Sequence, residues 1–280
     1  MSIQAEYIED DGLKSNDVGG WSEEKYRLIA SYLKQFCTGT KKAWPHRAYI
    51  DLYAGAGYSR LRTNQKILKG SPILALSAVD PFDQYVFCED DPENFRALQT
   101  RTTRDFPNRN VTFIPGDCND KIETVINLLP RRNSLGLCFV DPYNLSLRFE
   151  TLRKLAERRL DILCLLALHM DANRAYDIYI NQESSKVDLF LGSNTWKSDW
   201  LNARRPRQDF PIFLARYFAD RMRTLGFEET PTHSMHLVRS DDRNIPKYHL
   251  AMFSRNPLAY KFWAQAGESS TDQRMLNLED

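Results

Sequence analysis

Tyr49-Ile50-Asp51-Leu52-Tyr53-Ala54-Gly55-Ala56-Gly57 runs from an apolar, strand-like segment straight into a glycine turn, with an acid where the two meet. The pattern is D-x-x-x-G-x-G, and two classes of cofactor compete for such a turn. A nicotinamide or flavin dinucleotide calls for a third glycine three residues after the second, where helix and strand pack closely. Here that place is Arg60. The pyrophosphate of a dinucleotide also favours bare backbone N–H groups at a helix N-terminus, and a carboxylate just ahead of the turn opposes that anion. S-adenosylmethionine instead brings an ammonium and a sulfonium, for which Asp51 is a favourable neighbour.

Downstream, the same grammar repeats. Tyr85-Val86-Phe87-Cys88-Glu89 is a second apolar strand ending in an acid, and Asp91-Pro92 supplies an N-cap and first-turn proline for the next helix. Val111 to Asp117-Cys118 and Leu135 to Asp141-Pro142-Tyr143 are a third and a fourth such strand. Alternating strands and helices predict a parallel sheet, whose C-terminal edge would carry four carboxylates. That edge is where open α/β sheets bind ligands.

The ordered set of glycine turn, strand-tip acid, Gly-Asp and Asp-Pro resembles the successive motifs of class I methyltransferases over residues 45–170. More narrowly, the chain is similar to the three-Cys-motif partner (TcmP) family. That resemblance rests on Gly20-Trp21-Ser22-Glu23-Glu24-Lys25, Gly70-Ser71-Pro72, Asp141-Pro142-Tyr143, Asp188 to Gly192 with Trp196, and Tyr248 to Phe253 with Pro257 and Trp263. It implies an α/β, class I methyltransferase (Rossmann-like) fold: a mostly parallel sheet with helical insertions and a C-terminal antiparallel hairpin. It also implies S-adenosylmethionine as cofactor, and the family name implies a partner carrying a three-cysteine motif. On this reading Asp51, Gly55 and Gly57 hold the methionine end, Glu89 holds the ribose, and Asp117 with the Cys118 backbone reads adenine.

The fourth-strand motif bears on the acceptor. Methyltransferases that modify exocyclic amino groups place Asp or Asn, two prolines and an aromatic there; the acid and a proline carbonyl orient the amine while the aromatic stacks on the flipped base. Here the residues are Asp141-Pro142-Tyr143-Asn144, so tyrosine replaces the second proline. Asp141, Pro142 and Tyr143 are the catalytic candidates, and a nucleic acid is the expected substrate. A non-catalytic or partner-dependent subunit, and a methyltransferase for a protein or small molecule, remain open. Lys25 is weighed as a cofactor-side lysine against a solvent-facing one.

The net charge of +1 gives no global push toward polyanions, yet charge is uneven. Residues 1–24 carry seven acids against one lysine, whereas 195–225 carry seven basic residues against three acids. Arg204, Arg205 and Arg207 are therefore the nucleic-acid-binding candidates. The acidic start argues against a basic leader, and Ile162 to Leu168 is too short to cross a bilayer. Five scattered cysteines without a C-x-x-C pair fit a reduced, cytoplasmic protein. His233 and His236 lack a third ligand, so no metal is expected. The organisation read from the chain is a flexible acidic segment 1–20 and one methyltransferase-like domain 21–280, with helical insertions at about 58–84 and 169–230.

Overall fold

The computed structural model describes residues 7–172, 174–181, 186–240 and 244–276, with side chains as far as Glu268. Seven strands form the central sheet: β1 (His46–Asp51), β2 (Gln84–Glu89), β3 (Val111–Pro115), β4 (Ser134–Val140), β5 (Leu160–Leu166), β6 (His236–Arg239) and β7 (Pro246–Phe253). Their spatial order is β6-β7-β5-β4-β1-β2-β3. The first five are parallel, and β7 enters antiparallel to both β5 and β6. The chain starts in mid-sheet, winds outward to β3, then crosses back to β4 on the other side of β1. The order thus reverses between β1 and β4, and the crevice beyond their C-terminal ends is the place such sheets reserve for ligands.

Helices cover both faces, which is why β4 and β5 are buried along their whole length. α1 (Ser22–Thr40) precedes β1, and α2 (Ser71–Leu76), α3 (Pro92–Asp105), α4 (Cys118–Leu128) and α5 (Phe149–Leu155) follow the first four strands in turn. After β5 come α6 (Tyr176–Asn181), α7 (Lys186–Leu191), α8 (Trp196–Ala203) and α9 (Phe210–Thr224), and α10 (Pro257–Leu276) packs on α1. The two-residue period of a strand sorts the core. Ile50, Val86, Cys138 and Ile162 face α4, α5 and α9, whereas Tyr49, Tyr85, Leu137 and Leu163 face α1, α2 and α10.

Two parts of the chain depart from expectation. The stretch 58–84 is not simply helical: Tyr58–Leu61 pairs antiparallel with Ile67–Lys69 before α2 begins. Ser59 and Leu61 are buried while Tyr58 and Arg60 are half-exposed, a strand's alternation rather than a helix's. The acidic N-terminal segment is not loose from residue 7 onward, residues 1–6 lying outside the described ones. Tyr7–Ile8 and Asn16–Val18 complete a small four-stranded sheet on that ribbon. Arg101 on α3 fixes this strap. Its side chain is fully buried, and it donates to Asp11 Oδ1 and Oδ2 at 2.6 and 2.9 Å, to the Lys14 carbonyl at 2.7 Å and to the Ala56 carbonyl at 2.6 Å. A buried guanidinium must be paired and hydrogen-bonded, and the acidic segment supplies that pairing.

Candidate functional site

Two cavities open side by side at the C-terminal edge of β1, β2 and β4. The larger, about 450 Å³, is bounded by the glycine turn, Glu89, Asn94 and strap residues Lys14 to Val18. The smaller, about 220 Å³, is bounded by Trp21, Arg62, Pro142, Arg174, Lys247 and Tyr248. Asp17, Val18, Lys25, Asp141 and Tyr143 border both, forming a partition between two chambers. An apolar groove between α1 and α2, bordered by Leu33, Leu74 and Val79, contains none of the expected site residues.

The turn is shaped by its backbone. Gly55 and Gly57 have φ of 64° and 86°, the left-handed region that glycine enters without steric cost. A Cβ on Gly57 would meet Leu98 Cδ1 at 3.0 Å and Ile73 Cγ1 at 3.2 Å, so this glycine allows the turn to pack on the protein's own interior. Glu89, at the tip of β2, clamps the turn from the side: Oε2 accepts the Gly55 N–H at 2.6 Å, and Oε1 accepts the Asp91 N–H at 2.9 Å. Asn94, one turn into α3, lines the same chamber, and its Oδ1 is buried with no hydrogen-bond partner.

Asp51 departs from its expected place. It is fully buried and does not border the chamber; it sits one layer below, accepting the Tyr53 N–H and the Tyr49 hydroxyl, each at 3.3 Å. Burial raises its carboxyl to about 7, helped by the charge of Asp141 and opposed by hydrogen bonds from Ser71, Tyr53 and Tyr49. Asp117 and Cys118 also lie outside the chamber. Asp117 caps α4 by accepting the Asn119 N–H at 2.8 Å, and the Cys118 thiol is buried against Tyr53, whose residue lines the wall. The cap engages only Oδ1, which also accepts the Asn119 side-chain amide at 2.8 Å.

Asp141 and Tyr143 stand in the partition, and Pro142 borders the smaller chamber. Tyr143 is 80% exposed. Lys25 is not solvent-facing: it is 7% exposed and donates to Asp141 Oδ2 at 2.6 Å. Burial alone would lower the Lys25 ammonium, but the charge of Asp141 overrides it and the net shift is upward. Asp141 Oδ1 accepts no hydrogen bond from the described residues. Trp21, the N-cap residue of α1, folds its ring onto Gly19, where a Cβ would overlap it at 2.2 Å, and the Lys247 ammonium lies 4.6 Å from the ring centre.

The sequence left Lys25 between a cofactor-side and a solvent-facing place and assigned no role to Asn94, Arg101 or the strap. A signal existed for two of them. Lys25 lies at helical spacing from Leu28, Ile29 and Tyr32, and Arg101 from Ala97 and Leu98, so each sits on the buried face of its helix. Arg204, Arg205 and Arg207 border neither chamber; they are exposed, Arg204 ends α8 with φ of 47°, and Arg207 pairs with Asp177 at 3.2 Å. Among the described residues no group of three or more His, Cys, Asp or Glu could hold a metal ion. No helix among them is long and apolar enough to cross a membrane.

The sequence matches no family model and no curated protein. Solved structures are similar to it. LPL1258 from Legionella pneumophila has a TM-score of 0.48 and 13% identity, over 84% of this chain and 88% of that one. TYW2 from M. jannaschii, in complex with AdoMet, has a TM-score of 0.41 and 12% identity, over 90% and 87% respectively. An O-methyltransferase from Bacillus cereus, in complex with SAH, has a TM-score of 0.44 and 11% identity, over 87% and 84%. Five parallel strands closed by an antiparallel hairpin, with helices on both faces, give this chain the class I methyltransferase fold.

Proposed function

We propose that this protein is an S-adenosylmethionine-dependent methyltransferase acting on nucleic acid. The observation that carries the reading is the pair of chambers meeting at Asp141, one built on the glycine turn and Glu89, the other rimmed by basic and aromatic side chains. The charges of the larger chamber fit a cationic ligand. Asp17, Glu89 and Asp141 face Lys14 and Lys25, and both lysines are paired, Lys14 with Glu93 at 3.7 Å and Lys25 with Asp141. S-adenosylmethionine, when bound, supplies a methyl group on a sulfonium.

The chain's own residues do the rest. Glu89 Oε1 accepts both the Asp91 N–H and the Asn94 amide, whereas Oε2 accepts only the Gly55 N–H and keeps a lone pair for a ribose hydroxyl, and the unpaired Asn94 Oδ1 offers a further acceptor. Gly55 and Gly57 let the turn follow the methionine end, while Asp51 supports that turn from beneath. At the partition, Asp141 Oδ1 and the Pro142 carbonyl orient an acceptor amine, and Tyr143 lies at the mouth for stacking. Lys25 holds Asp141 in place and balances its charge out of water. Arg62, Arg174 and Lys247 around the acceptor chamber suit a phosphate backbone.

We further assign the chain to the three-Cys-motif partner family on the motifs from Gly20-Trp21 to Trp263, with a three-cysteine protein as its partner. All five cysteines are unpaired and buried, in keeping with a cytoplasmic setting. Calorimetry with S-adenosylmethionine, followed by transfer of labelled methyl to total RNA, total DNA and total protein, tests the reading. Binding with label on nucleic acid is expected. No binding of S-adenosylmethionine or S-adenosylhomocysteine at millimolar ligand would overturn the cofactor; label confined to protein would overturn the acceptor.

A further inference from the structure

Tyr248 lies on β7, two strands away from the β4 tip that carries Asp141, yet both residues border the acceptor chamber. Its side chain is almost wholly enclosed, the residue being 2% exposed, and its hydroxyl has no hydrogen-bond partner. A buried hydroxyl without a partner costs about 1–3 kcal/mol, so an orphan beside a cavity marks a place where a ligand completes the structure. Burial raises the Tyr248 phenol, which stays protonated and able to donate at neutral pH. Across the chamber, Asp141 Oδ2 is taken by Lys25, and Oδ1 remains as an acceptor. The chamber therefore has one acceptor at Asp141 and one donor enclosed in its wall at Tyr248, with Tyr143 at its mouth and Lys25, Arg62, Arg174 and Lys247 around it.

We propose that the acceptor chamber reads an aminated nucleobase by the N–C–NH2 part of its Watson–Crick edge: the exocyclic amine donates to Asp141 Oδ1, and the ring nitrogen beside it accepts from the Tyr248 hydroxyl. Adenine and cytosine carry that arrangement. Uracil sets a carbonyl against the Asp141 carboxylate; guanine can offer its 2-amine to Asp141, but the ring nitrogen beside that amine on the same edge carries a proton and cannot accept from Tyr248. Tyr248 is then a specificity-determining residue that touches the substrate, at a position no motif of the sequence marks. The inference rests on the methyltransferase reading of the neighbouring chamber and narrows its acceptor to amino bases.

The test is calorimetry on protein saturated with S-adenosylhomocysteine, titrated with AMP and with 1-deaza-AMP, and with CMP and 3-deaza-CMP. Each deaza analogue keeps the amine and the phosphate and replaces only the ring nitrogen by CH. Wild type should bind at least one parent nucleotide about tenfold more tightly than its deaza analogue, the value of one hydrogen bond of about 1.4 kcal/mol. Tyr248→Phe should bind that parent and its analogue equally, while keeping its affinity for S-adenosylhomocysteine and a melting temperature at or above wild type. A merely structural tyrosine would change the last two and leave the ratio. Equal binding of parent and analogue by wild type, or a ratio that survives in Tyr248→Phe, overturns the proposal while leaving the methyltransferase reading intact. Absence of nucleotide binding overturns it too, and the S-adenosylhomocysteine titration on the same sample shows whether the cofactor reading falls with it.

Discussion

Glu89 performs two tasks with one carboxylate, because its oxygens anchor the Gly55 and Asp91 amides while facing the larger chamber. Charge-assisted bonds to ribose hydroxyls are worth roughly 1.5–3 kcal/mol each. Glu89→Ala should therefore weaken S-adenosylmethionine binding more than tenfold by calorimetry, with the fold retained by circular dichroism. Asp51 makes a pH prediction. Its folded carboxyl is raised to about 7, above the unfolded value near 3.9, so the folded protein holds this proton more tightly. That contribution to stability is fully present below the unfolded value and is lost as pH rises through about 7. Between pH 5 and pH 8 the melting temperature of wild type should fall relative to that of Asp51→Asn; parallel curves for the two proteins would remove the carboxyl from this role.

At the scale of elements, the strap is the least independent part of the fold, since two strands of two and three residues cannot persist alone. Arg101 holds it. Arg101→Leu leaves Asp11 with Arg104 alone, 3.1 Å away, and strips the Lys14 and Ala56 carbonyls of their donor, so it should destabilise the protein by about 1–3 kcal/mol. Because Lys14 to Val18 border the larger chamber, cofactor affinity should fall with it, and faster hydrogen exchange confined to residues 7–18 would show the strap released. Unchanged exchange there would mean the ribbon alone carries the strap. The contrast between strap and sheet explains what the sequence could reveal. β1, β2 and β4 are apolar runs ending in an acid, a pattern set by local chemistry, so the central strands and their tip acids were readable. The strap depends on Arg101, about ninety residues away in sequence, and no local pattern encodes such pairing. The Lys25–Asp141 pair spans 116 positions and was hidden for the same reason. Asp117 caps α4, and an acid at a strand end serves as a helix cap or as a ligand contact with the same local sequence, so only geometry separates the two uses.

For the whole molecule, the open question of charge is which surface meets a polyanion. The sequence directs attention to Arg204, Arg205 and Arg207, whereas the structure gathers Arg62, Arg174 and Lys247 around the acceptor chamber. Removing one side chain that binds a phosphate should reduce the salt slope of binding by roughly one unit. Alanine at Arg62, Arg174 and Lys247 together should flatten the salt dependence of nucleic-acid binding more than alanine at the other three, with S-adenosylmethionine affinity unchanged in both. The opposite ranking would return the interface to the α8 end. The placing of the five tryptophans has an optical consequence. Trp196, Trp200 and Trp263 are buried in the core and Trp44 lies under Arg159 at a separate cavity, whereas Trp21 borders the acceptor chamber with the Lys247 ammonium over its ring. A cation held against an indole quenches and shifts its emission, so any molecule that draws Lys247 toward its own negative charge should brighten this one fluorophore above a steady background from the others. Occupancy of the acceptor chamber can then be followed in real time without a label, in the unmodified protein, by the light of a single side chain.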